Sequence, residues 1–174
     1  MNPKIEEALN RQINMELYSS YLYMAMSAYL KRLNLPGFSH WLEIQAREEL
    51  GHALRLSNYV LNRGVSIVFE KIAKPPHSWE SAMEVFKAAY EHEQLVTSCI
   101  TEITDLAIRE KDYTTSSQLQ WFLKEQTEEE ANELEIYRQL KSSDNSSEVI
   151  IMLDRELAKR VYVDPNAPVI NAQP

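Results

Sequence analysis

Glycine and cysteine are nearly missing from this chain, with three glycines and one cysteine in 174 residues. A single cysteine excludes an intrachain disulfide and any thiolate-built zinc or iron–sulfur framework. Cys99 lies among Leu95, Val96, Ile100 and Ile103 and reads as a small buried apolar residue. So little glycine, beside long runs of Leu, Ala, Glu, Met, Gln and Lys, is helical composition. No apolar run approaches the ~20 residues of a membrane span. Positive charge is also short. Eighteen Lys and Arg against 26 Asp and Glu leave a net charge of −8, which argues against nucleic acid and suits cations or basic partners. The start, Met1-Asn2-Pro3-Lys4-Ile5-Glu6-Glu7, has no apolar signal core, so a cytoplasmic protein is expected, with no membrane partner. The length suits one domain with a full core.

Asn2-Pro3 pairs a capping residue with a proline at the first helical position, and predicts a helix to about Arg32. Its seam runs through Ile5, Leu9, Gln12, Glu16, Ser19, Tyr23, Met26 and Leu30. After Leu33-Asn34-Leu35, Pro36 opens a second helix to about Arg63, and Gly64 stops it. So short a link makes the two antiparallel neighbours. Residues 65–80 differ: Val65-Ser66-Ile67-Val68-Phe69 is β-branched and aromatic, and Pro75-Pro76 forbids a helix. About sixteen extended residues at ~3.3 Å each reach roughly 50 Å. A helix of about 28 residues is only roughly 42 Å long, so the connector can travel the length of a bundle.

Ser78 is the expected cap of a third helix, about Trp79 to Glu110. Lys111-Asp112 makes a tight turn into a fourth, about Tyr113 to Lys141. A loop at 142–147 precedes a short amphipathic helix from Val149 to about Arg160, too short to be stable alone and expected to seek a neighbouring subunit. Residues 1–160 form the domain, and 161–174 a non-helical, proline-bearing tail. The expected fold is all-α: a four-helix bundle with one long crossover, the ferritin-like topology, and a short fifth helix.

Each of the four long seams is apolar at both ends and polar near its middle. The interruptions are Glu16 on the first helix, Glu49 with His52 on the second, Glu93 on the third, and Gln126 with Glu129 on the fourth. All fall within about one turn of their helix centres, so they meet at one level of the bundle. Glu49 and His52, three apart, share a helix face. Four carboxylates without a basic seam partner cannot all ionise unaided, which weakens the alternative of a purely structural polar network. Two divalent cations resolve the conflict. Carboxylate and imidazole ligands without thiolate favour iron or manganese, with zinc as a competitor.

Four segments carry a family resemblance. They are Asn14-Met15-Glu16-Leu17-Tyr18-Ser19-Ser20-Tyr21-Leu22-Tyr23, Glu48-Glu49-Leu50-Gly51-His52, Tyr90-Glu91-His92-Glu93-Gln94-Leu95, and Gln120 to Glu130. In order, spacing and helix context they resemble the helix motifs of non-haem bacterial-type ferritins, across about residues 4–160. The resemblance implies a shell of twenty-four identical subunits that oxidises Fe(II) with dioxygen or peroxide and stores ferric mineral. It implies that Glu16, Glu49 and His52 hold one iron, and that Glu49 bridges to a second held by Glu93 and Glu129, with Gln126 adjacent. Tyr23, seven residues past Glu16, matches a tyrosine implied to donate an electron, and Trp121 matches a nearby aromatic. Glu48, Glu125 and Glu128, sharing Glu129, match a third iron site. Glu130 and Glu133 have no assigned role, though Glu133 falls on the core seam. His40, His77 and His92 lie off the seams and are expected at the surface.

A second Glu-x-x-His on the last ligand helix, as in bacterioferritins and rubrerythrins, is replaced here by Gln126 and Glu129. Residues 38–64 contain no methionine for a haem, so no haem is expected. Two other functions compete with a ferroxidase store: a passively mineralising shell subunit, and a diiron peroxidase or oxygenase with an organic substrate. Every ligand position being filled disfavours the first, and the lack of enlarged helices disfavours the second.

Overall fold

A computed structural model describes residues 1–143 and 146–167. Part of the expected 142–147 loop and the tail from 168 onward lie outside the described residues. Five helices follow in order: α1 (Pro3–Arg32), α2 (Pro36–Asn62), α3 (Ala82–Arg109), α4 (Tyr113–Ser142) and α5 (Ser147–Leu157). Among the described residues, none is long and apolar enough to cross a membrane.

Local chemistry sets the ends. Asn2 caps α1 by accepting from the Lys4 N–H at 2.8 Å, with Pro3 at the first helical position. Gly64, at φ 72°, follows α2 in the left-handed region where a side chain would be strained. Asp112 caps α4 at Thr115 and is gripped by both Arg63 nitrogens at 3.1 Å, tying the end of α2 to the start of α4. The third helix begins later than expected. Ser81, not Ser78, accepts from the Glu84 N–H at 3.2 Å, and the Trp79 carbonyl is instead taken by the Tyr29 hydroxyl.

The two hairpins α1–α2 and α3–α4 pack together through α1 and α3. The crossover runs without regular structure along α1. Near its start Asn10 accepts from the Val68 N–H at 2.8 Å, and near its end Tyr29 meets Trp79. Nineteen residues of helix separate those contacts, about 28 Å at 1.5 Å per residue.

α5 also departs from expectation. It spans Ser147–Leu157 rather than 149–160, and within the chain it packs on α2. Leu153 is buried in the bundle, while Ile151 and Met152 stay exposed. The first turn of α2 has no side-chain cap of its own. Asp154 supplies one, its Oδ1 accepting from the N–H groups of Gly37 at 2.8 Å and Phe38 at 3.1 Å. A Cβ on Gly37 would stand 1.6 Å from the Asp154 carbonyl oxygen, so only glycine admits this approach.

The apolar interior divides in two. One cluster centres on Met26, Leu30, Phe38, Leu42, Phe86 and Leu140, the other on Leu9, Ile13, Leu56, Ile100, Leu119 and Phe122. Each such buried side chain contributes about 1.5–3 kcal/mol. Between the clusters, at mid-height, lies a polar layer.

Candidate metal centre

The layer holds five buried glutamates, Glu16, Glu49, Glu93, Glu129 and Glu133, with His52, Gln12, Gln45 and Gln126. No Lys or Arg is buried among the described residues. Seam periodicity puts these groups there: α1 turns from Ile13 to Glu16, α2 from Leu42 through Gln45 and Glu49 to His52, and both return to leucine. Ionised carboxylates in such a place cost several kcal/mol each unless compensated.

Two groups have metal-ligand spacing: Glu16 with Glu49 and His52, and Glu49 with Glu93 and Glu129. Within each, one ligand atom per residue lies within 4.8 Å of the others, and Glu49 belongs to both. The unsatisfied atoms point to the same use. Glu16 Oε2, Glu49 Oε2, His52 Nδ1 and Glu129 Oε2 are buried with no hydrogen-bond partner, and His52 Nδ1 lies 3.5 Å from Glu49 Oε2. The opposite oxygens are occupied. Gln12 donates to Glu16 Oε1 at 2.9 Å, and Gln45 donates to Glu49 Oε1 at 2.9 Å and to Glu129 Oε1 at 2.7 Å. One oxygen of each carboxylate is thus held by an amide and the other is open, as carboxylate ligands supported by outer hydrogen bonds require. Glu93 differs, since both its oxygens have donors: Tyr23 at one, Gln126 at 2.7 Å at the other.

Burial pushes all five carboxyls up. Glu93 rises to about 7, restrained by hydrogen bonds from Tyr23 and Gln126. Glu49, Glu129 and Glu133 rise well above the ordinary carboxyl range, burial being reinforced by neighbouring carboxylates. Tyr23, fully buried among them, is pushed well above 10. A layer this short of positive charge can hold divalent cations or protons.

The carboxylates expected at a third iron site lie along a cleft with His52, Trp121 and Glu129. There Glu48 is paired with Arg160, and Glu128 with Lys124 at 3.6 Å. Trp121 stands edge-on to His52, ring centres 5.4 Å apart, with the Arg55 guanidinium 3.8 Å above its face. Glu130 accepts from Thr97 at 2.5 Å. His77 is exposed as expected. His92 is not: it is buried between Tyr18 and Tyr23, paired with Ser19 Oγ at 2.8 Å, and burial lowers its pKa to about 4. His40 is half-buried and bonds the Arg160 carbonyl at 2.9 Å. Cys99 is half-buried, not enclosed, because Leu95 beside it faces outward.

Residues 6–142 match the family model of the ferritin-like domain. The chain belongs to the ferritin family. It is 36% identical over 160 residues to a bacterial non-heme ferritin of Bacteroides fragilis, covering 92% of this chain and 99% of that one. It is 36% identical to the Escherichia coli O6:H1 bacterial non-heme ferritin over 158 residues, 91% of this chain and 96% of the other. Among solved structures, an open pore ferritin from the archaeon Archaeoglobus fulgidus superposes with a TM-score of 0.91 at 41% identity, covering 92% of this chain and 99% of that one. A humanized archaeal ferritin gives 0.92 at 42%, with 94% and 99% covered. Within this ferritin, sequence reading missed Gln45, His92 and Arg160. Gln45 stands one turn before Glu49, a spacing that could have found it. Arg160 carries no such local signal.

Proposed function

We propose that this iron-storage ferritin is a ferroxidase, with Fe(II) as its substrate at two adjoining positions. One Fe(II) is held by Glu16, Glu49 and His52, the other by Glu49, Glu93 and Glu129, and Glu49 bridges them. The observation that carries this reading is the sharing of Glu49 between two groups whose open ligand atoms converge. Charge supports it, since two divalent ions balance four carboxylates. Each Fe(II) gives up one electron, so the pair reduces dioxygen to hydrogen peroxide, or peroxide to water, with protons taken from solvent. The chain supplies ligand geometry and a dry, shaped interior. Tyr23, with Glu93 beside its hydroxyl, would give one further electron which, together with one from a third Fe(II), completes the four-electron reduction of dioxygen to water.

In this reading the ferric product leaves along the cleft of Glu48, Glu125 and Glu128, a third iron site where Arg160 and Lys124 compete as cations. The mineral is stored in a hollow shell of twenty-four identical chains in the cytoplasm, and no haem takes part. Anaerobic Fe(II) titration followed by a pulse of oxygen tests the assignment. Saturable binding at two ions per chain and a fast oxidation phase are expected. Glu49→Ala and His52→Ala should lose the fast phase and still assemble, as size-exclusion chromatography would report. Fast oxidation undiminished in both would defeat the site, and slow oxidation in the parent would favour a passive shell.

A further inference from the structure

Beyond α5 the chain turns back toward the metal centre. Arg160 lies over Trp41, its guanidinium carbon 4.1 Å from the ring centre, and Nη1 donates to the Trp41 carbonyl at 3.2 Å. Nη2 donates to Glu48 and, at 2.9 Å, to Oε1 of Gln45. Gln45 is 1% exposed. Its amide nitrogen donates to Oε1 of both Glu49 and Glu129, at 2.9 and 2.7 Å.

An amide has one accepting end and one donating end, whereas a guanidinium only donates. Arg160 can therefore be met by Oε1 alone, which commits both Nε2 protons to the two carboxylates. Those carboxylates come from different helices, α2 and α4, and repel one another. A single donor holds one oxygen of each, and the other, Oε2, is buried and unpartnered in both. The amide so oriented aims two ligand atoms at one ion.

We propose that Arg160 is a positioning residue of the metal centre: by fixing the amide of Gln45 it presents Glu49 and Glu129 to the ion they share with Glu93. The proposal rests on the dinuclear reading above. It assigns a role to a residue 18 positions beyond the stretch matched by the family model, which ends at 142. It also predicts the opposite sign to simple electrostatics. Deleting a positive charge beside a cation site strengthens cation binding, whereas losing an outer-sphere partner weakens it, by about 10- to 100-fold.

The test is anaerobic Co(II) titration of the full chain, followed by visible absorption, with anomalous diffraction to assign each bound ion. The variants are Arg160→Met, which keeps an unbranched stem over Trp41, Gln45→Leu, and the double variant. Both single variants should weaken binding at the Glu49–Glu93–Glu129 group by about tenfold or more. The Glu16–Glu49–His52 group should lose much less, and the double variant should be no worse than Gln45→Leu. Unchanged or tighter Co(II) binding in Arg160→Met would overturn the proposal, as would additive losses in the double variant. Gln45→Leu tests the amide step separately should the first variant disturb the tail. No Co(II) at either group in the parent would overturn the dinuclear reading itself, a different result from two ions bound with Arg160 indifferent.

Discussion

The hydroxyl of Tyr23 donates to a Glu93 carboxylate oxygen, and Gln126 donates to the other at 2.7 Å. Tyr23 is wholly enclosed, and this bond gives its proton an acceptor. Loss of its electron would acidify the phenol and push that proton onto Glu93. Tyr23→Phe should therefore keep the two-ion Fe(II) stoichiometry, slow oxidation severalfold, and abolish any transient tyrosyl signal by freeze-quench electron paramagnetic resonance. A radical of unchanged yield in the variant would place it elsewhere.

Metal binding should release protons. Glu49 and Glu129 keep their protons to higher pH than ordinary carboxyls, because burial and neighbouring carboxylates raise them well above the usual range, and a ligand must be deprotonated. Zn(II) titration in weakly buffered solution with a pH indicator should show protons released as metal binds, and fewer released in Glu49→Gln.

The metal-free protein should lose stability as pH rises. A carboxyl whose folded pKa is raised contributes fully below its unfolded value, near 4.5, and that contribution is lost as pH climbs through the folded one. Glu93 alone, moved to about 7, accounts for on the order of 3 kcal/mol. His92 acts oppositely, its contribution being lost as pH falls from 6.5 toward about 4, but one imidazole is outweighed by five carboxyls. Thermal unfolding of the metal-free chain should thus be easier at pH 8 than at pH 5, and divalent metal should reverse the trend. Glu133→Gln, at a carboxylate with both oxygens unpartnered, should stabilise the metal-free form, more at pH 8 than at pH 5. A destabilised variant would mean Glu133 has a partner in solution.

Gly51 makes room for the tail. A Cβ there would sit 2.4 Å from Pro165 Cγ, while Asn166 bonds the Gly51 carbonyl at 3.0 Å and Arg55 the Pro165 carbonyl at 2.9 Å. Gly51→Ala should lift residues 161–167 and speed their removal by protease, with little change in the melting of the bundle. Gly37→Ala strikes the α5 dock instead. It should cost about 1–3 kcal/mol, as overpacking does, and raise hydrogen exchange across 147–157. Protection unchanged in both variants would mean these contacts do not form.

Much of this protein is determined by local pattern. The four long helices follow from apolar spacing, from Asn2-Pro3 and Gly64, and from Pro75-Pro76. The candidate metal centre follows from Glu or Gln at mid-seam, because residues at one height on parallel or antiparallel helices must meet. Such periodicity speaks only of residues three or four apart on one helix. It is silent on what faces a helix from elsewhere in the chain. Ser19 paired with His92, Asp154 capping α2, and Arg160 orienting Gln45 span 73, 117 and 115 residues. Only packing, which sets how each helix is rotated and where the chain returns after α5, decides those. Glu49 and His52 were legible as candidate ligands from their own helix. Which oxygen of Glu49 is left without a partner was decided by the tertiary structure, through an amide held by an arginine near the other end of the chain.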